Sequence, residues 1–137
     1  MYLIINTAYK DKAWIALADE AGVKSVVSVV PEGNGHMDPL VGVEKGLKEN
    51  GVTLESLEGI IVNSGPGAFS ALRGGIVVAN TLLFALGIPV VGIPMPDDRP
   101  SAQTALLGIM ACKGAPIGNV VEPEYGREPN ITVTKEK

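Results

Sequence analysis

The sequence predicts an α/β fold on a mixed five-stranded sheet, a three-strand antiparallel meander beside parallel strands, with helices packed on it. Three observations carry this. The first thirty residues are short apolar runs separated by polar turns, the pattern of strands joined as hairpins. Two helical stretches, Pro39–Glu49 and Ala71–Leu86, then alternate with short apolar strands, the pattern of a parallel crossover. Finally, 137 residues with 46% hydrophobic and 19% charged side chains suffice for one domain with a core and are too few for two comfortable ones.

Each element has its own signal. Tyr2 to Asn6 is a continuous apolar run ending in polar residues, as in a buried central strand. Lys12 to Ala18, with Trp14, Ile15 and Leu17, reads as the second strand, and Val23 to Val30 as the third. The run Pro31-Glu32-Gly33-Asn34-Gly35 ends the meander. Asp38 suits a helix N-cap and Pro39 the first helical position, while Asn50-Gly51 is a natural stop. Leu40, Val43 and Leu47 fall at helical spacing. Thr53 to Leu57 reads as one helical turn leading into the strand Gly59-Ile60-Ile61-Val62.

The helix Ala71–Leu86 is apolar on nearly every face, with Arg73, Asn80 and Thr81 toward one flank. Such a helix must be covered all round, by the sheet on one side and by another helix or another subunit on the other. Gly87 caps it, and Ile88 to Ile93 is the next strand, parallel to Ile60–Val62. Residues 1–95 thus form one lobe. Residues 96–137 read as a linker, a short helix over Ser101–Cys112 weakened by Gly108, and an irregular tail. The order β-β-β-α-β-α-β is that of a ribonuclease-H-like half-domain, the unit of the actin-like ATPase fold.

Composition narrows the function classes. A net charge of −4, from 11 basic and 15 acidic side chains, argues against a basic nucleic-acid surface of the chain's own. Cys112 is the single cysteine, so neither an internal disulfide nor a thiolate metal cluster is available. His36 is the single histidine, and one histidine with scattered acids makes no metal set. No apolar run reaches the roughly 18 residues of a membrane span, and the N-terminus carries no signal-peptide pattern. A cytoplasmic location is expected.

The stretch Asn63 to Gly75 is the focus of the chain. A strand, a glycine-proline turn and a helix start present backbone N–H groups outward, so the turn can hold an anion or nucleotide through Ser64, Gly65, Gly67, Ser70 and Arg73. It can equally be a close-packed corner. No lysine follows as a Walker loop would need. Asp97-Asp98 is a carboxylate pair in a proline-rich linker and reads as a solvated loop.

Gly65-Pro66-Gly67-Ala68-Phe69-Ser70-Ala71-Leu72-Arg73-Gly74-Gly75, followed by Leu86-Gly87-Ile88-Pro89-Val90-Val91-Gly92-Ile93, resembles the bacterial TsaB (YeaZ) family. Its pattern is G-P-G-S-F-T-G-L-R-x-G, a helix, then L-G-I-P-x-x-G. Ile4-Ile5-Asn6-Thr7, Gly35-His36 and the tail from Glu122 to Thr132 are similar to further family motifs. The resemblance implies a cytoplasmic, non-catalytic partner of the catalytic TsaD subunit. With a TsaE-like ATPase, such a pair places a threonylcarbamoyl group on a tRNA adenosine. It further implies a dimer contact through the two helices, here Leu40, Val43, Leu47, Leu72, Ile76, Asn80 and Leu83, made with itself or with a TsaD-like chain.

Three departures bear on this. Asn6 stands where the family has Asp, which removes a charge that helps position a metal ion in the ATPase relatives. Ala68, Ser70 and Ala71 replace Ser, Thr and Gly. Only about 25 residues bridge the Ile93 strand and the tail, where the family has a second lobe. The expectation is an accessory subunit that meets tRNA only indirectly and holds no metal, with no cofactor beyond weak ATP or ADP at a subunit interface. The alternative is a small nucleotide- or phosphate-binding enzyme of the actin-like ATPase or M22 glycoprotease-like superfamily. The H-x-x-x-H metal pair of TsaD relatives is absent, as is any nucleophile–base pair for peptidase chemistry.

Overall fold

The computed structural model describes residues 1–7, 13–29, 38–65, 69–95 and 101–122, the side chains of residues 69–71 excepted. Its elements follow the expected order: β1 (Tyr2–Asn6), β2 (Ala13–Asp19), β3 (Gly22–Val29), α1 (Pro39–Glu49), a 3-10 turn (Leu54–Ser56), β4 (Gly59–Asn63), α2 (Phe69–Leu86), β5 (Val90–Ile93) and α3 (Ala102–Gly114). The sheet runs β3-β2-β1-β4-β5. β1 lies at its centre, antiparallel to β2 and parallel to β4, and β5 continues the parallel half. β1 and β4 are buried along their whole length, which accounts for their continuous apolar runs.

The pleat divides the core in two. Leu3, Ile5, Ile15, Leu17, Ile60 and Val62 face α1 and α2, which contribute Val43, Leu47, Leu72, Ile76, Ala79 and Leu83. Tyr2, Ile4, Trp14, Ala16 and Ile61 face the other way, where Ala105, Ile109 and Cys112 of α3 meet them. Among the described residues the result is three layers: two helices, the sheet, and a single helix.

Local chemistry explains the element ends. The Asp38 carboxylate accepts from the Leu40 amide at 3.0 Å, capping α1 ahead of Pro39. The helix stops where Gly51 takes a positive φ of 64° and Val52 N–H donates to the Leu47 carbonyl at 3.0 Å. Gly87, also at φ 64°, ends α2. β5 begins at Val90, two residues later than the sequence suggests, because Pro89 has no N–H for the ladder; its carbonyl still accepts from Ile60 N–H at 3.0 Å.

Gly108 has a packing role that its low helix propensity conceals. A Cβ there would lie 2.6 Å from the Ile61 side chain, so the glycine lets α3 sit directly on β4. Gly42 does the same for α1, where a Cβ would meet Val29 at 2.5 Å and Ile15 at 2.8 Å. Among the described residues, no helix is long and apolar enough to cross a membrane.

Candidate functional site

β1 and β4 are parallel, so both end on the same edge of the sheet, where Asn6, Thr7 and Asn63 are buried polar residues inside an otherwise apolar layer. Asn63 uses its whole side-chain amide. Its Nδ2 donates to Asn6 Oδ1 at 3.0 Å and to the Met95 carbonyl at 3.3 Å; its Oδ1 accepts from Gly65 N–H at 3.0 Å and Met95 N–H at 3.3 Å. One side chain therefore ties the end of β1, the start of the glycine turn and the chain leaving β5. Thr7 completes the latch by accepting from Gly75 N–H of α2 at 3.2 Å, and a Cβ on Gly75 would strike Thr7 Oγ1 at 2.4 Å. The arrangement aims α2 across the sheet. All three side chains are neutral amides or hydroxyls, so they offer orientation and no acid–base chemistry.

The proposed anion contacts fare unevenly. Ser64 N–H donates to the Ile93 carbonyl at 3.2 Å, and Gly65 N–H is taken by Asn63. Both donors are thus used within the fold. Gly67 lies outside the described residues, as does the Ser70 side chain. Arg73 projects from the exposed side of α2 and has an interaction of its own. His36, Gly35, Asp97-Asp98 and the tail motif beyond Glu122 also fall outside the described residues.

The residues expected at an interface differ in exposure. Val43, Leu47, Leu72, Ile76 and Leu83 are buried in the chain's own core, on the sheet-facing sides of α1 and α2. Helical spacing places Leu72, Ile76, Ala79 and Leu83 on one stripe and Val77 and Phe84, seven apart, on a separate one roughly 120° round the helix. Among the described side chains of these two helices, the large apolar ones left open are Leu40, Val41, Val77 and Phe84, the last 72% exposed. Of the expected residues only Leu40 is exposed. Asn80 is half-buried and engaged: it donates to the Val121 carbonyl at 3.0 Å and accepts from Val121 N–H at 2.9 Å, clasping the segment after α3. Sequence reasoning missed Asn63 and Thr7 as a latch, although a polar residue ending a wholly apolar strand was a signal for both.

Cys112 is buried with its Sγ 3.7 Å from the Ile60 carbonyl, and burial pushes its thiol up to about 11. It behaves as a small apolar residue. No group of three or more His, Cys, Asp or Glu able to hold a metal occurs among the described residues. A cleft of about 410 Å³ between β5, the end of α3 and residues 119–122 is lined mainly by Val90, Val91, Ala111 and Val120, with Glu122 as its one charge. It brings no reactive groups together.

The sheet order, the three layers and the latched glycine turn define a ribonuclease-H-like α/β half-domain. Comparison with known proteins gives the particular likeness. Residues 34–95 match the family model of TsaD, tRNA N6-adenosine threonylcarbamoyltransferase. The proteins of that name from Geotalea uraniireducens and Listeria monocytogenes are each 40% identical to the chain over 68 residues, 47% of this chain and 20% of theirs. Among solved structures, YeaZ from Pseudomonas aeruginosa superposes with a TM-score of 0.60 and 30% identity, covering 68% of this chain and 43% of that one. A second structure, an uncharacterized protein with similarity to the peptidase YeaZ of the same organism, gives 0.52 and 28%. The chain therefore spans a fifth of the curated relatives and under half of YeaZ, and it is similar to part of a YeaZ (TsaB) protein.

Proposed function

We propose that the chain is a non-catalytic accessory subunit in tRNA N6-threonylcarbamoyladenosine modification, docking a TsaD-like catalytic subunit through the outer faces of α1 and α2. One observation carries the contact: Leu40, Val41, Val77 and Phe84 stand exposed on two adjoining helices whose other apolar side chains build the core. Exposed apolar side chains grouped on one face mark an interaction surface more often than a solvated one. The net charge of −4 suits a subunit that leaves tRNA, and the TsaE-like ATPase step, to its partners.

The test is co-purification of the full chain with the TsaD-like protein of the same genome. The wild-type chain should retain it, and Phe84→Glu should reduce retention at least tenfold, since a charge forced into an apolar contact costs several kcal/mol, roughly. A wild-type chain that ignores the TsaD-like protein would sink the reading. The rival nucleotide-binding enzyme is opposed by the engagement of Ser64 and Gly65 N–H inside the fold. Calorimetry with ATP, ADP and magnesium separates it, because this reading places any nucleotide at the subunit junction and expects no heat from the chain alone.

A further inference from the structure

The sheet ends in two edges, and they are protected differently. At one, β3 carries Lys24 and pairs with β2 through a register shift at Leu17/Ala18. A charge and an irregularity are common means by which an edge strand resists the addition of a further strand. At the other edge, β5 reads Val90-Val91-Gly92-Ile93, with no charged residue and an unbroken register against β4. The carbonyls of Pro89 and Ile93 accept from Ile60 and Ser64 N–H at 3.0 and 3.2 Å, so these alternate residues face β4. In a parallel ladder the residues between them turn the other way, and the N–H and C=O groups of Val90 and Gly92 point to the outer side. Among the described residues, none of these four groups has a hydrogen-bond partner.

The chain itself crosses this second edge. α3 packs on one face of the sheet, and the segment after it reaches the other, where Val121 joins the core on the α2 side. Asn80 of α2 holds it there. Its amide donates to the Val121 carbonyl at 3.0 Å and accepts from the Val121 N–H at 2.9 Å, the pair of bonds that one strand residue offers another. Gly92 makes room for the crossing, since a Cβ there would lie 2.7 Å from the Val121 side chain. The cleft of about 410 Å³ is the space left between β5, the end of α3 and this segment, and its one charge, Glu122, rides on the segment.

We infer that residues 119–122 are a strap that bars strand addition at β5, with Asn80 as its catch. The strap supplies from a neighbouring segment what β5 lacks in its own sequence: a side chain laid across the edge, Val121, and a charge beside it, Glu122. Two hydrogen bonds to one side chain hold it, so releasing the catch opens the edge while the central strands stay folded. The freed edge then pairs through the N–H and C=O groups of Val90 and Gly92, and the strand that meets it is β5 of another released chain. With the catch closed, β5 remains the last strand of the sheet. This device does not depend on the accessory-subunit reading, because it concerns the sheet edge and not the outer faces of α1 and α2.

Asn80→Ala and Val121→Pro each break the catch, the first by removing the amide and the second by removing the N–H that it accepts. Light scattering of the full chain over a range of concentrations, joined to amide hydrogen exchange, tests the inference. Both variants should form species larger than the wild type forms at the same concentration. In those species the Val90 and Gly92 amides should exchange about tenfold more slowly than in the same variant when dilute, because a paired strand then covers them. Protection of β1 and β4 equal to wild type marks a folded variant, and if one variant misfolds the other decides. Folded variants that keep the wild-type mass, or that associate without slowing exchange at Gly92, overturn the inference. Misfolding of both overturns it as well, since the catch would then belong to the core. Failure of TsaD co-purification leaves these readouts untouched.

Discussion

Asn63 organises the end of the sheet at which the glycine turn begins, and its side chain is legible in the sequence only as a polar residue closing an apolar strand. Asn63→Leu removes four hydrogen bonds, those to Asn6 Oδ1, the Met95 carbonyl and the N–H groups of Gly65 and Met95. At about 1–3 kcal/mol for each orphaned group, less local rearrangement, the loss should be roughly 3 kcal/mol by urea unfolding. Asn6→Asp carries a sign as well as a size. Position 6 is fully buried, so desolvation should raise the new carboxyl's pKa above its unfolded value near 3.9. The folded state then binds more protons than the unfolded one between those two pKa values. Stability is fully present below the unfolded pKa and declines as pH rises toward the folded one, by up to about 1.4 kcal/mol per pH unit. Unfolding measured at pH 4 and pH 7 checks this; a gap from wild type that is the same at both pH values would show that hydrogen bonds to the carboxylate, such as that from Asn63 Nδ2, offset its desolvation.

At the scale of elements, apolar content alone does not separate a core helix from an interface helix. α2 looked uniformly apolar, yet its two stripes have different fates. Leu83 is buried against the sheet, so Leu83→Glu should unfold the chain rather than merely break a contact. Phe84→Glu should leave the melting temperature within a few degrees of wild type, since a surface substitution changes stability by about 0.5 kcal/mol or less. Thermal melts of the two variants side by side distinguish them, and an unfolded Phe84→Glu would contradict the assignment of faces. The glycines of α1 and α3 make the complementary point. Gly108→Ala places a methyl 2.6 Å from Ile61 and should destabilise by about 1–3 kcal/mol, although alanine is the better helix former by about 1 kcal/mol. A stabilised variant in a urea titration would mean that α3 does not sit where the structure puts it.

For the whole molecule, the three layers leave two apolar faces pointing in opposite directions, one on α1 and α2 and one on α3. The first supports the reading as an accessory subunit. The segment after α3, clasped by Asn80 at Val121, connects these sides of the sheet by reaching α2 from the α3 layer. Asn80→Ala should free residues 119–122 to exchange amide hydrogens faster while leaving β1 and β4 protected, because the clasp is local and the central strands are held by the core.

The sequence by itself determined the elements, their order and most of their ends, because these rest on local physics. Hydrophobic period separates strand from helix, Asp38-Pro39 and Asn50-Gly51 bound α1, and the Leu86-Gly87-Ile88-Pro89 run closes α2. It also held the ordered motifs that make the chain similar to part of a YeaZ protein. Tertiary structure alone decided which side of each helix meets the sheet, since that depends on where strands far apart in the chain place their side chains. That is why Val43, Leu47, Leu72, Ile76 and Leu83 belong to the core, while Val77 and Phe84 face outward. It likewise decided the fate of the Ser64–Gly65 amides, which could have faced an anion and instead bond Ile93 and Asn63, residues brought to them by the parallel pairing of β4 with β5 and by the turn itself.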